Sequence, residues 1–215
     1  MPRRPWVIGL LGAESTGKTT LARALAGALA ESGERVALVG EYLREFCDAH
    51  GRTPQVHEQA HIAAEQTRRI LDAAASHDVV VADTTALMIA VYSEWVFGDT
   101  SLYPQAAQGH AHCDLTLLTA LDLPWQPDGL QRDGPHVREP VDALVRAALH
   151  RQQTPYAVVT GSGTQRRDNA LRALRTARRV ATDEAPGLVA RWQWVCERCG
   201  DVDCERHLLP RPHGG

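Results

Sequence analysis

One short stretch constrains this chain more than any other. Gly12-Ala13-Glu14-Ser15-Thr16-Gly17-Lys18-Thr19 fits the pattern G-x-x-x-x-G-K-[ST]. An apolar run, residues 6–11, precedes it, and an Ala- and Leu-rich segment, residues 18–30, follows. The first reads as a buried strand and the second as a helix. Glycine at 12 and 17 permits backbone angles that turn successive N–H groups inward around a phosphate. The helix points its positive end at the same anion. The pattern therefore predicts a strand–loop–helix unit that holds ATP through Gly12, Ala13, Glu14, Ser15, Thr16, Gly17, Lys18, Thr19 and Thr20. Lys18 is expected on the β- and γ-phosphate oxygens, and the Thr19 hydroxyl on Mg²⁺. Of 23 Lys and Arg residues, Lys18 is the sole lysine. An ammonium on a slim stem is thus kept where a wide planar guanidinium would not serve.

Short apolar runs alternate with helical segments along the rest of the chain. Residues 35–39, 79–82, 115–119 and 156–159 read as strands. Residues 56–76, 84–97, 141–150 and 166–179 read as helices, and the Pro-, Gly-, Asp- and Arg-rich stretch 124–140 as loop or a short irregular element. The continuous β-branched run at 79–82 suits a strand covered on both faces. The alternation predicts an α/β fold of three layers: a parallel five-stranded sheet with helices on both faces and right-handed crossovers. Ala185-Pro186-Gly187 breaks the pattern. It divides an expected P-loop domain, residues 1–185, from a Cys- and Trp-rich appendage, residues 186–215, too small for an independent core.

Composition narrows the function classes. The 215 residues are 44% hydrophobic and 23% charged, which rules out disorder over most of the length. No apolar run approaches the roughly 20 residues of a membrane span. Two arginines precede the first apolar run, but that run leads straight into the glycine loop, so it reads as a strand rather than a leader, and the expected compartment is the cytoplasm. A net charge of −3 gives no global pull toward nucleic acid or anionic membrane. Aromatic residues at 5% argue against a base-stacking platform.

Candidate residues beyond the loop follow from position. Asp83 ends the run Val79-Val-Val-Ala, where a second Mg²⁺ contributor belongs, and it is also placed to cap the next helix. Ligands of open α/β sheets bind beyond the carboxyl ends of the strands. Glu41, Tyr42 and Arg44 stand there after residues 35–39. Glu41 is placed to accept or orient a hydroxyl proton, Tyr42 to stack on a flat ring, and Arg44 to steady a phosphate or carboxylate; an ordinary first helical turn is the alternative. The stretch from Asp122 to Arg138 is long enough for a lid, with Gly129 and Gly134 allowing movement. In it, Arg132 and Arg138 are expected to close on the triphosphate. Trp125 and Asp128 sit at its base, facing a ring and a sugar hydroxyl or anchoring the loop. His57 and His61 read as surface residues.

Of five cysteines, three crowd into the appendage. Cys196, Cys199, Cys204 and His207 have spacing that could close a tetrahedral Zn²⁺ site. Reduced thiols packed through Trp192 and Trp194 are the alternative.

Several segments together resemble the ribosylnicotinamide kinase domain of the NadR-type NAD-biosynthesis proteins. They are Gly12-Ala-Glu-Ser-Thr-Gly-Lys-Thr-Thr20, Glu41-Tyr-Leu-Arg-Glu45, Val81-Ala-Asp-Thr-Thr85, Asp114-Leu-Thr-Leu-Leu118 and Pro124-Trp-Gln-Pro-Asp-Gly-Leu-Gln-Arg132. The resemblance implies a P-loop kinase that moves the γ-phosphoryl group of ATP to the 5′-hydroxyl of nicotinamide riboside. It departs from the family in Thr-Thr after Asp83, where a further acidic residue is expected, and in the Cys-rich tail. Other readings are a kinase of another nucleoside, a regulatory ATPase acting on a protein partner, and, against the acidic charge, a nucleic-acid module. A Lys18→Ala protein is expected to fold normally and to lose turnover. Normal phosphorylation by that variant, followed as ADP release, contradicts this reading of the loop.

Overall fold

Residues 7–11 of the first strand are all buried, so both of its faces are covered. The computed structural model, which describes residues 4–126 and 134–183, shows what covers them. The strands β1 (Trp6–Leu11), β2 (Val36–Val39), β3 (Val79–Asp83), β4 (Leu115–Thr119) and β5 (Ala157–Val159) form a parallel sheet in the order β2-β3-β1-β4-β5. The helices are α1 (Lys18–Glu31), α2 (Tyr42–His50), α3 (Gln59–Ala74), α4 (Ala86–Phe97), α5 (Tyr103–His110), α6 (Arg138–Arg151) and α7 (Gly163–Asp183). Strand order reverses at β1, which puts the loop after Leu11 at the switch point where such sheets bind ligands.

The two faces follow from the period of two along each strand. Ile8, Leu10, Val79, Val81 and Leu117 point to one side, against Leu21 and Leu25 of α1 and Leu174 of α7. On the other side Val7, Val80 and Ala82 meet Ile70 of α3, while Leu11 and Leu118 meet Leu87 of α4 and Val141 of α6. Each such aliphatic side chain contributes about 1.5–3 kcal/mol on burial. A further cluster, around Phe46, Ile62, Ile89 and Ala106, attaches α2 and α5 to α3 and α4. Among the described residues, no helix is long and apolar enough to cross a membrane.

The expected five-stranded, three-layer α/β fold is therefore present, with local differences. The segment expected as one helix over 56–76 begins as a 3₁₀ turn, Val56–Glu58, before α3. Helix α6 starts at Arg138 rather than at 141, after a 3₁₀ turn at Pro135–Val137. Pro140 lies in its first turn, where the missing N–H costs nothing. Helix α5 was not expected, and α2 only as the alternative of an ordinary first helical turn at residues 41–44. Each buries only two residues, Phe46 and Cys47 in α2, Ala106 and His110 in α5, too few to set up a period.

A polar cluster lies inside this packing. His110 is 1% exposed. Its Nδ1 is 2.9 Å from Thr85 Oγ1 and its Nε2 2.9 Å from Thr116 Oγ1, which links the end of α5 to the start of α4 and to β4. A neutral imidazole donates from one nitrogen and accepts at the other, and the hydroxyls rotate to match. The cluster fits because β1 carries glycine beside it: a Cβ on Gly9 would lie 2.9 Å from both Cys113 Sγ and Thr85 Cγ2.

Burial lowers the His110 pKa to about 4. The unfolded chain takes up this proton near pH 6.5 and the folded chain does not, so stability is full above that pH and falls on acidification. The carboxylates of Glu58, Glu65 and Asp78, hydrogen-bonded by Arg52, Arg68 and Arg35, are held down at about 2 and cost stability only at lower pH. Urea unfolding is expected to lose about 2 kcal/mol between about pH 7.5 and about pH 5, and a His110→Gln protein to lose much less. Equal pH slopes in the two proteins would contradict this assignment.

Candidate active site

The loop after β1 is held at its base by β4. Gly12 has φ 147°, and a Cβ there would lie 2.0 Å from Thr119 Oγ1. With no Cβ in the way, Thr119 Oγ1 reaches Leu11 O at 3.1 Å and Thr16 Oγ1 at 2.7 Å, and the Thr16 hydroxyl donates to Ala13 O at 2.8 Å. Ser15 Oγ accepts from the Gln126 N–H at 2.8 Å. Lys18 Nζ donates to Gly12 O at 2.8 Å and to Ala13 O at 2.9 Å, so the ammonium bends back over the loop. Helix α1 begins after Gly17 with no side-chain cap and no acidic residue in its first turn. Its first N–H groups therefore keep their positive field at the mouth of the loop.

The mouth opens into a cavity of about 470 Å³. Residues 15–20 line one side, Glu41 and Arg44 a second, and Arg166 of α7 another. Ala13 and Glu14 lie deeper, 0% and 8% exposed. That volume suits a small organic ligand. Glu41 is the residue on which α2 starts, and its Oε2 is 3.8 Å from Arg44 Nε. Tyr42 is not among the lining residues: its ring packs back on α3, with Arg69 Cζ 4.4 Å from the ring centroid and His61 edge-on at 6.2 Å.

Arg166 was expected only as the start of a helix, yet it ties the site together. It is 4% exposed. Its Nη1 donates to Asp122 Oδ1 at 2.7 Å and Gly161 O at 2.6 Å, and its Nη2 to Thr16 O at 2.9 Å and Ala120 O at 3.1 Å. One guanidinium so joins the glycine loop to the loops after β4 and β5. Burial pushes the Asp122 carboxyl up, but hydrogen bonds from Arg166 and from the Gly161 N–H outweigh it and hold the carboxyl below its usual range. Gln66 is the second such residue: fully buried on α3, it bonds backbone groups of both Tyr42 and Thr84. Neither belongs to a local motif that would betray it.

Asp83 ends β3 and is 4% exposed, and among the described residues its Oδ1 has no hydrogen-bond partner. A buried carboxylate oxygen left this way suits a cation. Thr85, not Asp83, caps α4, its hydroxyl accepting from the Leu87 N–H. Arg138 stands in the first turn of α6 rather than in a loop; it is 9% exposed, and among the described residues its Nε and Nη2 have no hydrogen-bond partners. Trp125 is half-buried with its Nε1 unpartnered. His57 and His61 are exposed. Asp128, Arg132, Cys196, Cys199, Cys204 and His207 lie outside the described residues. Among the described residues no group of three or more His, Cys, Asp or Glu side chains could hold a metal ion, and neither Cys47 nor Cys113 forms a disulfide.

Replacing Arg166 by Met is expected to cost about 3 kcal/mol, because three carbonyl groups and Asp122 lose their donor together. Urea unfolding measures this, and titration with an ATP analogue is expected to show weaker binding. An unchanged unfolding midpoint would contradict the role of this arginine.

Comparison with known proteins places this site in a family. A family model described as an AAA domain matches residues 7–166. No curated protein was found to match. Among solved structures, a NadR protein in complex with NAD and AMP-PNP is 21% identical, with a TM-score of 0.65 over 86% of this chain and 52% of that one. A NadR protein in complex with NR is 20% identical, with a TM-score of 0.67 over 87% and 53%. Thymidylate kinase from Ehrlichia chaffeensis is 15% identical, with a TM-score of 0.59 over 79% and 98%. The chain thus spans about half the length of the NadR chains it matches. At these identities the likeness is one of fold, and it agrees with the resemblance carried by the motifs. The phosphate loop, the strand order and the match over residues 7–166 agree: the chain belongs to the AAA-domain family, and its fold is that of the P-loop kinases NadR and thymidylate kinase.

Proposed function

We propose that this chain is an ATP-dependent kinase of a nucleoside-type small molecule, with the 5′-hydroxyl of nicotinamide riboside as acceptor and nicotinamide mononucleotide as product. The observation that carries the reading is the shared cavity: the phosphate-loop lysine Lys18 and the carboxylate Glu41 line the same space. A triphosphate held by the first would bring its terminal group within reach of a hydroxyl held by the second. The NadR structures, with NR in one and NAD and AMP-PNP in another, support this acceptor class. The likeness to thymidylate kinase favours, as a second reading, a kinase of another nucleoside or nucleotide.

In this mechanism the loop N–H groups, the start of α1 and Lys18 bind the phosphates, as P-loops do. Glu41 orients the acceptor hydroxyl and takes its proton. The acceptor oxygen forms a bond to the γ-phosphorus as the bond to the bridging oxygen breaks, and ADP leaves with that electron pair. Thr19 and the unpartnered oxygen of Asp83 would hold Mg²⁺, which neutralises charge on the phosphates when bound. Arg138, buried with free donors, suits the negative charge of the transferring group, and Arg132 is assigned the same task. Arg44, Trp125 and Asp128 are assigned to the acceptor. Catalysis is then mainly positioning and fixed charge.

The purified protein, given MgATP and a panel of nucleosides and nucleotides, is expected to release ADP with nicotinamide riboside. A Glu41→Gln variant is expected to keep its affinity for an ATP analogue and lose about 10²–10⁴-fold in kcat. Steady ADP release that ignores every small acceptor would refute the kinase reading.

A further inference from the structure

We infer that Gln66, buried in the middle of α3, is a positioning residue that sets Glu41 and Asp83 against each other. The inference rests on the proposed roles of those two carboxylates. Gln66 is 0% exposed, and its side-chain amide is fully used. Its Oε1 accepts from the Tyr42 N–H at 2.8 Å. Its Nε2 donates one hydrogen to Gly40 O at 3.1 Å and the other to Thr84 O at 3.3 Å. Gly40 and Tyr42 are the two neighbours of Glu41, and Thr84 directly follows Asp83. A single planar group therefore grips the loops after β2 and β3 at the peptides flanking both carboxylates.

Two features make this grip more than the satisfaction of buried backbone. Strands β2 and β3 are paired up to Val39 and Ala82, so Gly40 and Asp83 are the first residues past that ladder, while Asp83 stays paired on its other side with Leu10 of β1. Gln66 continues the connection where that ladder stops. Thr84 also has φ 94°, a conformation that disfavours a residue with a Cβ, and its own hydroxyl has no partner. A backbone in that region persists only when its surroundings hold it, and the bond from Gln66 Nε2 is such a hold. The requirement is specific: one acceptor and two donors at fixed spacing are what a primary amide offers. A methionine of similar length offers neither donor, and a glutamate regains one donor only when protonated.

The phosphate loop is braced separately, by Arg166 and Thr119. Loss of Gln66 is therefore expected to spare nucleotide binding and disturb the metal and acceptor side. Three measurements on the full chain test this, comparing wild type, Gln66→Met and Gln66→Glu. In the first, binding of a fluorescent ATP analogue is titrated with Mg²⁺. Gln66→Met is expected to bind the analogue as wild type does without Mg²⁺ and to need severalfold more Mg²⁺ to reach the bound state it supports. In the second, acceptor phosphorylation is expected to fall ~10–100-fold in kcat with KM for ATP unchanged, as a misplacement of reacting groups gives. In the third, the activity of Gln66→Glu relative to wild type is expected to change with pH, rising toward low pH where the new carboxyl can donate. A purely structural role predicts a lowered melting temperature with the Mg²⁺ requirement, kcat and pH profile of wild type, and that result overturns the inference. Wild-type protein that phosphorylates no acceptor refutes the kinase reading instead, and the Mg²⁺ titration then still decides the role of Gln66.

Discussion

The close approach of the glycine loop to Thr119 is the contact on which the rest of the site depends. At Gly12 the backbone takes φ 147° and passes so near β4 that no side chain fits. That approach lets Thr16 and Thr119 share a buried contact, which fixes the loop's floor to the strand beside β1. With the floor fixed, α1 starts just after Gly17, and its first N–H groups and Lys18 lie at the same mouth. The sheet order does the remaining placement, because β1 lies where neighbouring crossovers diverge.

Around that mouth, charge is laid out in two zones. The cationic zone consists of Lys18 and the start of α1, braced by the guanidinium of Arg166, which Asp122 neutralises and three carbonyl oxygens hold. Its buried hydrogen bonds brace the loop, and its positive field suits a polyanion. The second zone carries Glu41, at the start of α2, and Asp83, at the end of β3. Asp83 is paired with Leu10 of β1 and Glu41 lies past the end of β2, and Gln66 bonds the backbone beside both.

What was legible in the sequence was what is local. The phosphate loop lies in nine consecutive residues, 12–20, and its flanks announce a strand and a helix. The place of Asp83 at a strand end was legible because it follows a continuous run of small and β-branched residues. Arg166 and Gln66 were not, because their partners are backbone groups far along the chain: Thr16 lies 150 residues from Arg166, and Tyr42 24 from Gln66. Nothing in residue type marks such a pairing before the fold exists. Tyr42 illustrates the converse. Its ring and position suggested a stacking platform, but the cation of Arg69 lies over the ring and α3 receives it. Pro140 misled in a third way, since a proline in a first helical turn and a proline that ends a loop look alike in sequence.

The most direct test is a crystal structure of the protein with AMP-PNP and Mg²⁺. The account predicts the terminal phosphates inside the curve of residues 12–19, with Lys18 Nζ released from the carbonyls of Gly12 and Ala13 onto the phosphate oxygens. A nucleotide bound elsewhere, with that ammonium still resting on the two carbonyls, would contradict it.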